Sequence, residues 1–327
     1  MNNEFDWIKS IAPTKHYHTS VKTGIGDDAA IYAVEQGYEQ VIAVDTMVEG
    51  IHFKKETMPI KSIGYKALAV NLSDLAAMGA TPLYFLVSVA FPKQGWSQEE
   101  LSEIYHGMNQ LADRWHVDLI GGDTVSTKEG LVITVTVVGH VEAGRHLLRS
   151  NAKEGDVLFI TGKLGLSAFG LEKLLVEGLS VADDLSMRPF LKAHQEPEPD
   201  LAAGQLLAQC GQRVSLNDVS DGVAHEAKEI AEASGVNVVI DWEKLPICHE
   251  FTKYSLEKQE DWMLYGGEDF KLVGTVSSDK WSDLEQQFQD NQLPIYVIGA
   301  VEQGNGAVFL QRQGKRSLIE KSGYQHF

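Results

Sequence analysis

The chain has 327 residues and 46 acidic against 28 basic side chains, for a formal net charge of −18. With 43% hydrophobic and 23% charged residues it has a globular composition, and its length predicts two domains. So acidic a field disfavours nucleic acid and anionic membranes as partners, and an anionic substrate would need bound cations to approach.

Cys210 and Cys248 are the two cysteines. They are too few for a disulfide framework or a cysteine zinc site, and they suit a reducing compartment. The N-terminus lacks the apolar stretch of a signal peptide, and no run nears the ~20 residues of a membrane helix, so a cytoplasmic protein is expected.

In chain order, Gly24-Ile25-Gly26-Asp27-Asp28-Ala29 has the outline of a dinucleotide-binding fingerprint. Two aspartates occupy its turn, where they would repel a pyrophosphate, so that function is rejected. A solvated turn or a carboxylate turn for Mg²⁺ remains. Val41–Val44 reads as an apolar strand ending at Asp45, which either serves a ligand or caps the next turn. Gly64–Met78 has helical periodicity and stops at Gly79, a suitable left-handed C-cap. Asp74 sits within that apolar helix, against its propensity, with Asn71 on the same face. An exposed polar stripe is the other explanation.

Leu83–Phe91 reads as a buried strand, and Ser97 with Glu100 forms a capping box opening a helix to about Trp115. Gly121-Gly122-Asp123-Thr124 reads as a glycine–acid turn after Val117–Ile120, and Leu131–Val141 as another strand. The alternation predicts an α/β (α+β) fold, with a boundary near Ser150 dividing residues 1–149 from 150–327.

The second half reads as strands at Val157–Ile160, Val236–Asp241 and Lys271–Val276, with helices near Ser167–Val176, Asp200–Gln209 and Gly222–Ser234. Gln195–Asp200 reads as a surface loop. Thr161–Gly170 could hold a phosphate at a helix N-terminus, or its glycines could serve packing. In Asp218-Val219-Ser220-Asp221-Gly222, either Ser220 or Asp221 could be an N-cap rather than a ligand. Gly266-Gly267-Glu268-Asp269 is a further glycine–acid turn. No P-loop or nucleophile elbow is present, the EF-hand order is absent, and His16 and His18 lack an evident third ligand.

At these residues the sequence resembles the thiamine-monophosphate kinase family of the aminoimidazole-ribotide-synthetase-like ATP-binding superfamily. The matching stretches are GIGDDAA (24–30), VDTMVEGIHF (44–53), YKALAVNLSDLAAMGA (65–80), LIGGDT (119–124), LLRSNAKEGD (147–156), NDVSDG (217–222), GGEDF (266–270) and GYQHF (323–327). The resemblance implies transfer of the ATP γ-phosphoryl group to thiamine monophosphate, a two-domain subunit, a homodimer and several Mg²⁺ ions.

It further implies metal ligands at Asp28, Asp45, Asp74, Asp123, Asp218 and Asp221. Nucleotide contacts would be Tyr105, Gly122, Asp123, Arg149 and Ser220, with His52, Glu268 and Tyr324 on the thiamine phosphate. The N-terminal domain would bind metal and ATP and dimerise, and the C-terminal domain would complete both sites. Ala43 and Val44 stand where the family often has metal-holding hydroxyls, so only backbone carbonyls could contribute there. An acceptor phosphate is already nucleophilic, so no catalytic base is assigned. Related synthetases acting on other acceptors, and a non-catalytic metal-binding module, are the rival functions; a selenophosphate synthetase would need a cysteine earlier than Cys210.

Overall fold

The computed structural model describes residues 4–25, 29–321 and 323. In the first half, helix α1 (Glu4–Ile11) and a short antiparallel pair, β1 (Val21–Thr23) and β2 (Ile31–Tyr32), precede the main sheet. That sheet comprises β3 (Tyr38–Val48), β4 (Thr81–Pro92), β5 (Asp118–Thr127) and β6 (Val132–Glu142), in the spatial order β3-β6-β4-β5. Helix α2 (Ile60–Ala77) follows β3, and α3 (Gln98–Trp115) makes the crossover between the parallel strands β4 and β5.

The second half is built on a seven-stranded sheet. Its strands are β7 (Asp156–Ile160), β8 (Val214–Asp218), β9 (Val236–Asp241), β10 (Leu272–Ser277), β11 (Tyr296–Gln303), β12 (Val308–Arg312) and β13 (Lys315–Leu318). They lie in the order β13-β12-β9-β11-β7-β10-β8, mostly antiparallel. The helices are α4 (Leu166–Glu177), α5 (Arg188–Gln195), α6 (Leu201–Gln209), α7 (Val223–Ser234), α8 (Leu256–Tyr265) and α9 (Trp281–Asp290).

Local signals account for much of this. Ser97 caps α3 and Glu100 reaches back to the Ser97 amide, completing the capping box. Gly79 follows α2 with φ +70°, as its C-terminal position requires. Helix α2 is buried around almost its whole circumference, as an all-round apolar helix should be. Glycines allow its close packing: a Cβ on Gly64 would fall 1.8 Å from the Ile104 carbonyl oxygen, and one on Gly204 of α6 would fall 2.1 Å from that of Ala76. A single apolar core joins Leu68, Leu72 and Leu75 of α2 to Leu207 of α6 and Leu216 of β8, so the two halves share their interior.

Three expectations are corrected. Strand β3 runs on past Asp45 to Val48, so Asp45 neither ends the strand nor caps a turn. Gly121-Gly122-Asp123-Thr124 is not a turn but the middle of β5, because pairing with β4 continues through it. Gln195–Asp200 is a half-buried strap rather than a free surface loop. Ser62 donates to Glu196 at 2.9 Å, Arg114 pairs with Glu198, and Lys271 pairs with Asp200 at 2.8 Å.

Strand alternation sorts the four-stranded sheet into two faces. Asp45 lies in one cross-strand row with Val135, Val87 and Gly122; buried Val135 and Val87 mark this as the helix-covered side. The adjacent row, Thr46, Thr134, Ser88 and Asp123, is on the other side. Ile42, Val44 and Val125 are large apolar residues left exposed on that sheet, at 64%, 59% and 45%.

Candidate active site

Carboxylates from three elements and one loop converge between the halves. The Asp45 amide on β3 donates to Asn71 Oδ1 on α2 at 2.9 Å, and Asn71 Nδ2 donates to the Ala67 carbonyl at 3.0 Å. One turn along α2, Asp74 faces Asp218 at the end of β8, while Ser73 Oγ donates to Asp218 Oδ2 at 2.8 Å. Lost hydration, then repulsion from Asp218 and Asp45, pushes Asp74 up to about 8. Burial likewise raises Asp218 to about 6, against the Ser73 hydrogen bond that favours its charge. Loss of hydration raises Asp45 too, with His52 opposing and Asp221 reinforcing the shift.

The Asp218–Gly222 loop is shaped by a residue that sequence reasoning missed. Helix α7 begins after Gly222, which has φ +106° and no side-chain cap, so neither Ser220 nor Asp221 is the N-cap. Instead Glu226 reaches back from the first turn of α7. It accepts from the Asp221 amide at 3.1 Å, from Ser220 Oγ at 3.2 Å and from Asn217 Nδ2. Burial, then the nearby Asp218, raises it to about 8. Asp221, His225 and Glu226 offer ligand atoms within 4.8 Å of one another. An acid in the first turn of a helix is so common that Glu226 carried no distinguishing signal.

Two cavities flank this acidic ridge. One, of about 540 Å³, is walled by Asp45, His52, Ser220, Asp221 and Glu268, with apolar cover that includes Leu171 and Phe270. The other, of about 470 Å³, is lined by Asp74, Arg149, Asn217 and Asp218. Arg149 Nε donates to Asn217 Oδ1 at 2.9 Å and Nη1 to Glu229 at 3.1 Å, leaving the guanidinium half exposed at that cavity. His52 Nδ1 accepts from the Val48 amide at 3.0 Å, fixing the ring after β3.

Glu268 enters the larger cavity from a turn with φ +65°, a conformation rare for a residue with a side chain. Its amide donates to the Ser220 carbonyl at 2.6 Å, so the two glycine–acid loops are joined. Burial disfavours its charge, yet Lys66 at 2.7 Å and His194 at 3.2 Å outweigh that and hold it down to about 2. The N-terminus of α4 is occupied by protein: Asp269 accepts from the Gly165 amide at 2.6 Å and the Ser167 amide at 3.2 Å. The Thr161–Gly170 segment therefore uses its helix N-terminus for a carboxylate and not for a phosphate.

The chain does not bring every expected residue to this ridge. Asp123 is exposed on the face of the sheet opposite to Asp45, with β5 and β3 at opposite edges, roughly 14 Å apart at three strand spacings. Gly122 lies on that distant edge strand, where a Cβ would fall 2.1 Å from the Val87 carbonyl; its local role is close strand packing. Tyr105, expected at the nucleotide, is 4% exposed in the N-terminal core and meets the Trp7 ring edge-on at 5.5 Å. Asp28 and Tyr324 lie outside the described residues. Gly323 is described, and a Cβ there would fall 1.8 Å from the Asp221 carbonyl, so this residue packs directly against the acidic loop.

This geometry matches a known family. Residues 26–141 match the AIR synthase related protein, N-terminal domain, and residues 153–311 match the corresponding C-terminal domain. The thiamine-monophosphate kinase of Bacillus subtilis (strain 168) is 47% identical over 326 residues, covering 99% of both chains. The chain belongs to the thiamine-monophosphate kinase family. Within that family, the enzyme of Escherichia coli (strain K12) is 34% identical over 94% of this chain and 92% of its own. The crystal structure of thiamine-monophosphate kinase from Stenotrophomonas maltophilia K279a superposes with a TM-score of 0.83 at 31% identity, covering 95% and 96% of the two chains. AaThiL complexed with AMPPCP and TMP superposes at 0.78, with 30% identity and 93% and 92% coverage. The two-domain α/β architecture is that of the family.

Proposed function

We propose that this protein transfers the γ-phosphoryl group of ATP to the phosphate of thiamine monophosphate, giving thiamine diphosphate and ADP. The observation that carries this is the acidic ridge of Asp45, Asp74, Asp218 and Asp221 standing between two cavities of different chemistry. One cavity has apolar walls and a fixed carboxylate acceptor, suited to an amino-bearing heteroaromatic ligand; the other offers an arginine fork, suited to phosphate oxygens. Relatives bearing this activity in their names match 94% to 99% of the chain.

The donor set fits hard divalent cations. Several carboxylates are crowded closely enough to raise one another's proton affinity, and Arg149 only partly offsets them. Oxygen-only sites of this kind suit Mg²⁺. Asp45, Asp74, Asp218 and Asp221 would hold the ions, with Asp28 a further expected ligand. Mg²⁺ supplies neutralisation of the phosphate oxygens that must approach one another.

The protein's own groups then position the reactants. Arg149 clamps a phosphate of the nucleotide and Ser220 orders the loop beside it. His52 and Glu268, with Tyr324 from the tail, hold the thiamine end. The acceptor is an anion, so no side chain needs to remove a proton, and catalysis rests on alignment and electrostatics.

A homodimer accounts for the residues that one chain leaves apart. Ile42, Val44 and Val125 stay exposed on the sheet face that β1 and β2 cover only in part, and they give it an apolar surface for a second copy. Pairing through it would bring Gly122 and Asp123 of one subunit toward the nucleotide site of the other. A cytoplasmic location agrees with the two unpaired cysteines. ADP release that depends on thiamine monophosphate tests the activity; ADP release driven instead by an aminoimidazole ribotide precursor would assign a sister enzyme.

A further inference from the structure

Lys66 projects from α2 with its side chain 1% exposed, and Nζ lies 2.7 Å from Glu268 Oε1. Lysine is almost never buried this completely without a partner. Across the carboxylate, His194 of α5, 3% exposed, places Nδ1 at 3.2 Å from Oε2 and 3.2 Å from Ser167 Oγ. A carboxylate only accepts, so His194 Nδ1 carries a proton toward Glu268. Lys66, His194 and Glu268 all line the larger cavity.

This arrangement is costly without a purpose. Glu268 is held in a left-handed backbone conformation, and a buried ammonium and carboxylate have both been taken out of water. Beyond the ion pair, Lys66 Nζ has no hydrogen-bond partner among the described residues. Lys66 Nζ faces one Glu268 oxygen and His194 Nδ1 the other, and since each oxygen has two lone-pair positions, the carboxylate at the cavity wall can also accept from a ligand.

We infer that Lys66 and His194 are positioning residues that hold Glu268 as a fixed hydrogen-bond acceptor for the amino-heteroaromatic end of the acceptor substrate. The inference rests on the thiamine monophosphate kinase reading and deepens it. Because Lys66 offsets the charge of Glu268, the carboxylate selects by direction more than by net charge, and it does not repel the substrate's own phosphate. Neither residue was among the site candidates from sequence. Lys66 is one of two lysines in a largely apolar helix and falls in a matching stretch without being singled out, and His194 lies in a segment with no motif.

The test is a double-mutant cycle using Lys66→Met, Glu268→Gln and the combined variant, with thiamine monophosphate and Mg·ATP titrated separately by calorimetry. Lys66→Met should weaken thiamine monophosphate by about tenfold or more, the scale of a hydrogen bond to a charged group, while Mg·ATP binding stays within about twofold. In the Glu268→Gln background the same change should add almost nothing, because the carboxylate it serves is gone. His194→Asn, which keeps a donor, should retain more affinity than His194→Leu.

Should Lys66→Met fail to fold because Glu268 is left buried without its cation, the His194→Asn and His194→Leu pair still decides, since both keep the Lys66–Glu268 ion pair and equal losses in the two overturn the clamp. Additive losses, or equal weakening of both ligands, overturn the clamp. A wild-type protein that binds no thiamine monophosphate overturns the functional reading and the clamp together. Wild-type binding that Lys66→Met leaves intact overturns the clamp alone.

Discussion

The Asp45 amide and the Asn71 side chain meet at 2.9 Å, tying the edge strand β3 to the buried helix α2. Asn71 is fully buried and also donates to the Ala67 carbonyl, so its amide is held at both ends. Through this contact the placement of Asp45 relative to Asp74 is set by a residue that itself offers no charge.

Asn71→Leu should therefore damage both stability and activity. It leaves the Asp45 amide without its acceptor at a cost of about 1–3 kcal/mol. Urea denaturation should show that loss, and turnover at saturating substrates should fall as Asp45 is freed. Full turnover in a destabilised variant would mean that the contact is architectural only.

Asp74→Asn separates function from stability in the opposite direction. Turnover should be mostly lost, since a carboxylate is removed from the ridge. In chelator the variant should be more stable than wild type, on the order of 1 kcal/mol, because repulsion from Asp218 and Asp45 is relieved. Added Mg²⁺ should stabilise it less than it stabilises the wild type. Unchanged turnover, or a variant less stable in chelator, would contradict the role given to Asp74.

The same groups set a pH dependence for the metal-free protein. A carboxylate with a raised folded-state pKa binds more protons folded than unfolded, so its stability contribution is present below the unfolded value of ~4. That contribution is lost as pH climbs through about 6 for Asp218, 7 for Asp269 and 8 for Asp74 and Glu226. Glu268 is depressed to about 2, so its contribution is complete above the unfolded range and does not cancel the trend. In chelator, Tm should fall between pH 6 and 8, and Mg²⁺ should recover more of it at pH 8. A flat or rising Tm over that interval would mean that the carboxylates are not crowded as described.

Sequence patterns carried the fold further than the site. The capping box at Ser97 and Glu100, the Gly79 stop and the α2 periodicity are local signals, and each is realised in place. The Gly121–Thr124 stretch misleads because glycines within a strand look like a turn until the neighbouring Val87 carbonyl is seen to need the space. Asp74 was legible as an acid set against its helix. Lys66 and His194 were not, since their importance arises from a partner distant in sequence, and Glu226 was not, since an acid in the first turn of a helix is common. The outward direction of Asp123 follows from strand register, which only tertiary pairing defines.

Arg149→Lys should harm nucleotide binding although charge is kept. The guanidinium anchors itself on Asn217 and Glu229 while facing the smaller cavity, and a lysine cannot make both anchors with one directed fork. The Michaelis constant for ATP should rise by about tenfold, with that for thiamine monophosphate little changed. Equal effects on both substrates would place Arg149 in general architecture.

The central claim is that the acidic ridge joins two substrates across a single phosphoryl transfer. Incubating the protein with ATP, Mg²⁺ and thiamine monophosphate, and weighing the products, tests it most directly. Thiamine diphosphate and ADP in equal amounts, formed only when both substrates and Mg²⁺ are present, is the predicted result. Release of ADP without any thiamine diphosphate, or no turnover by a protein shown to be folded, would contradict it.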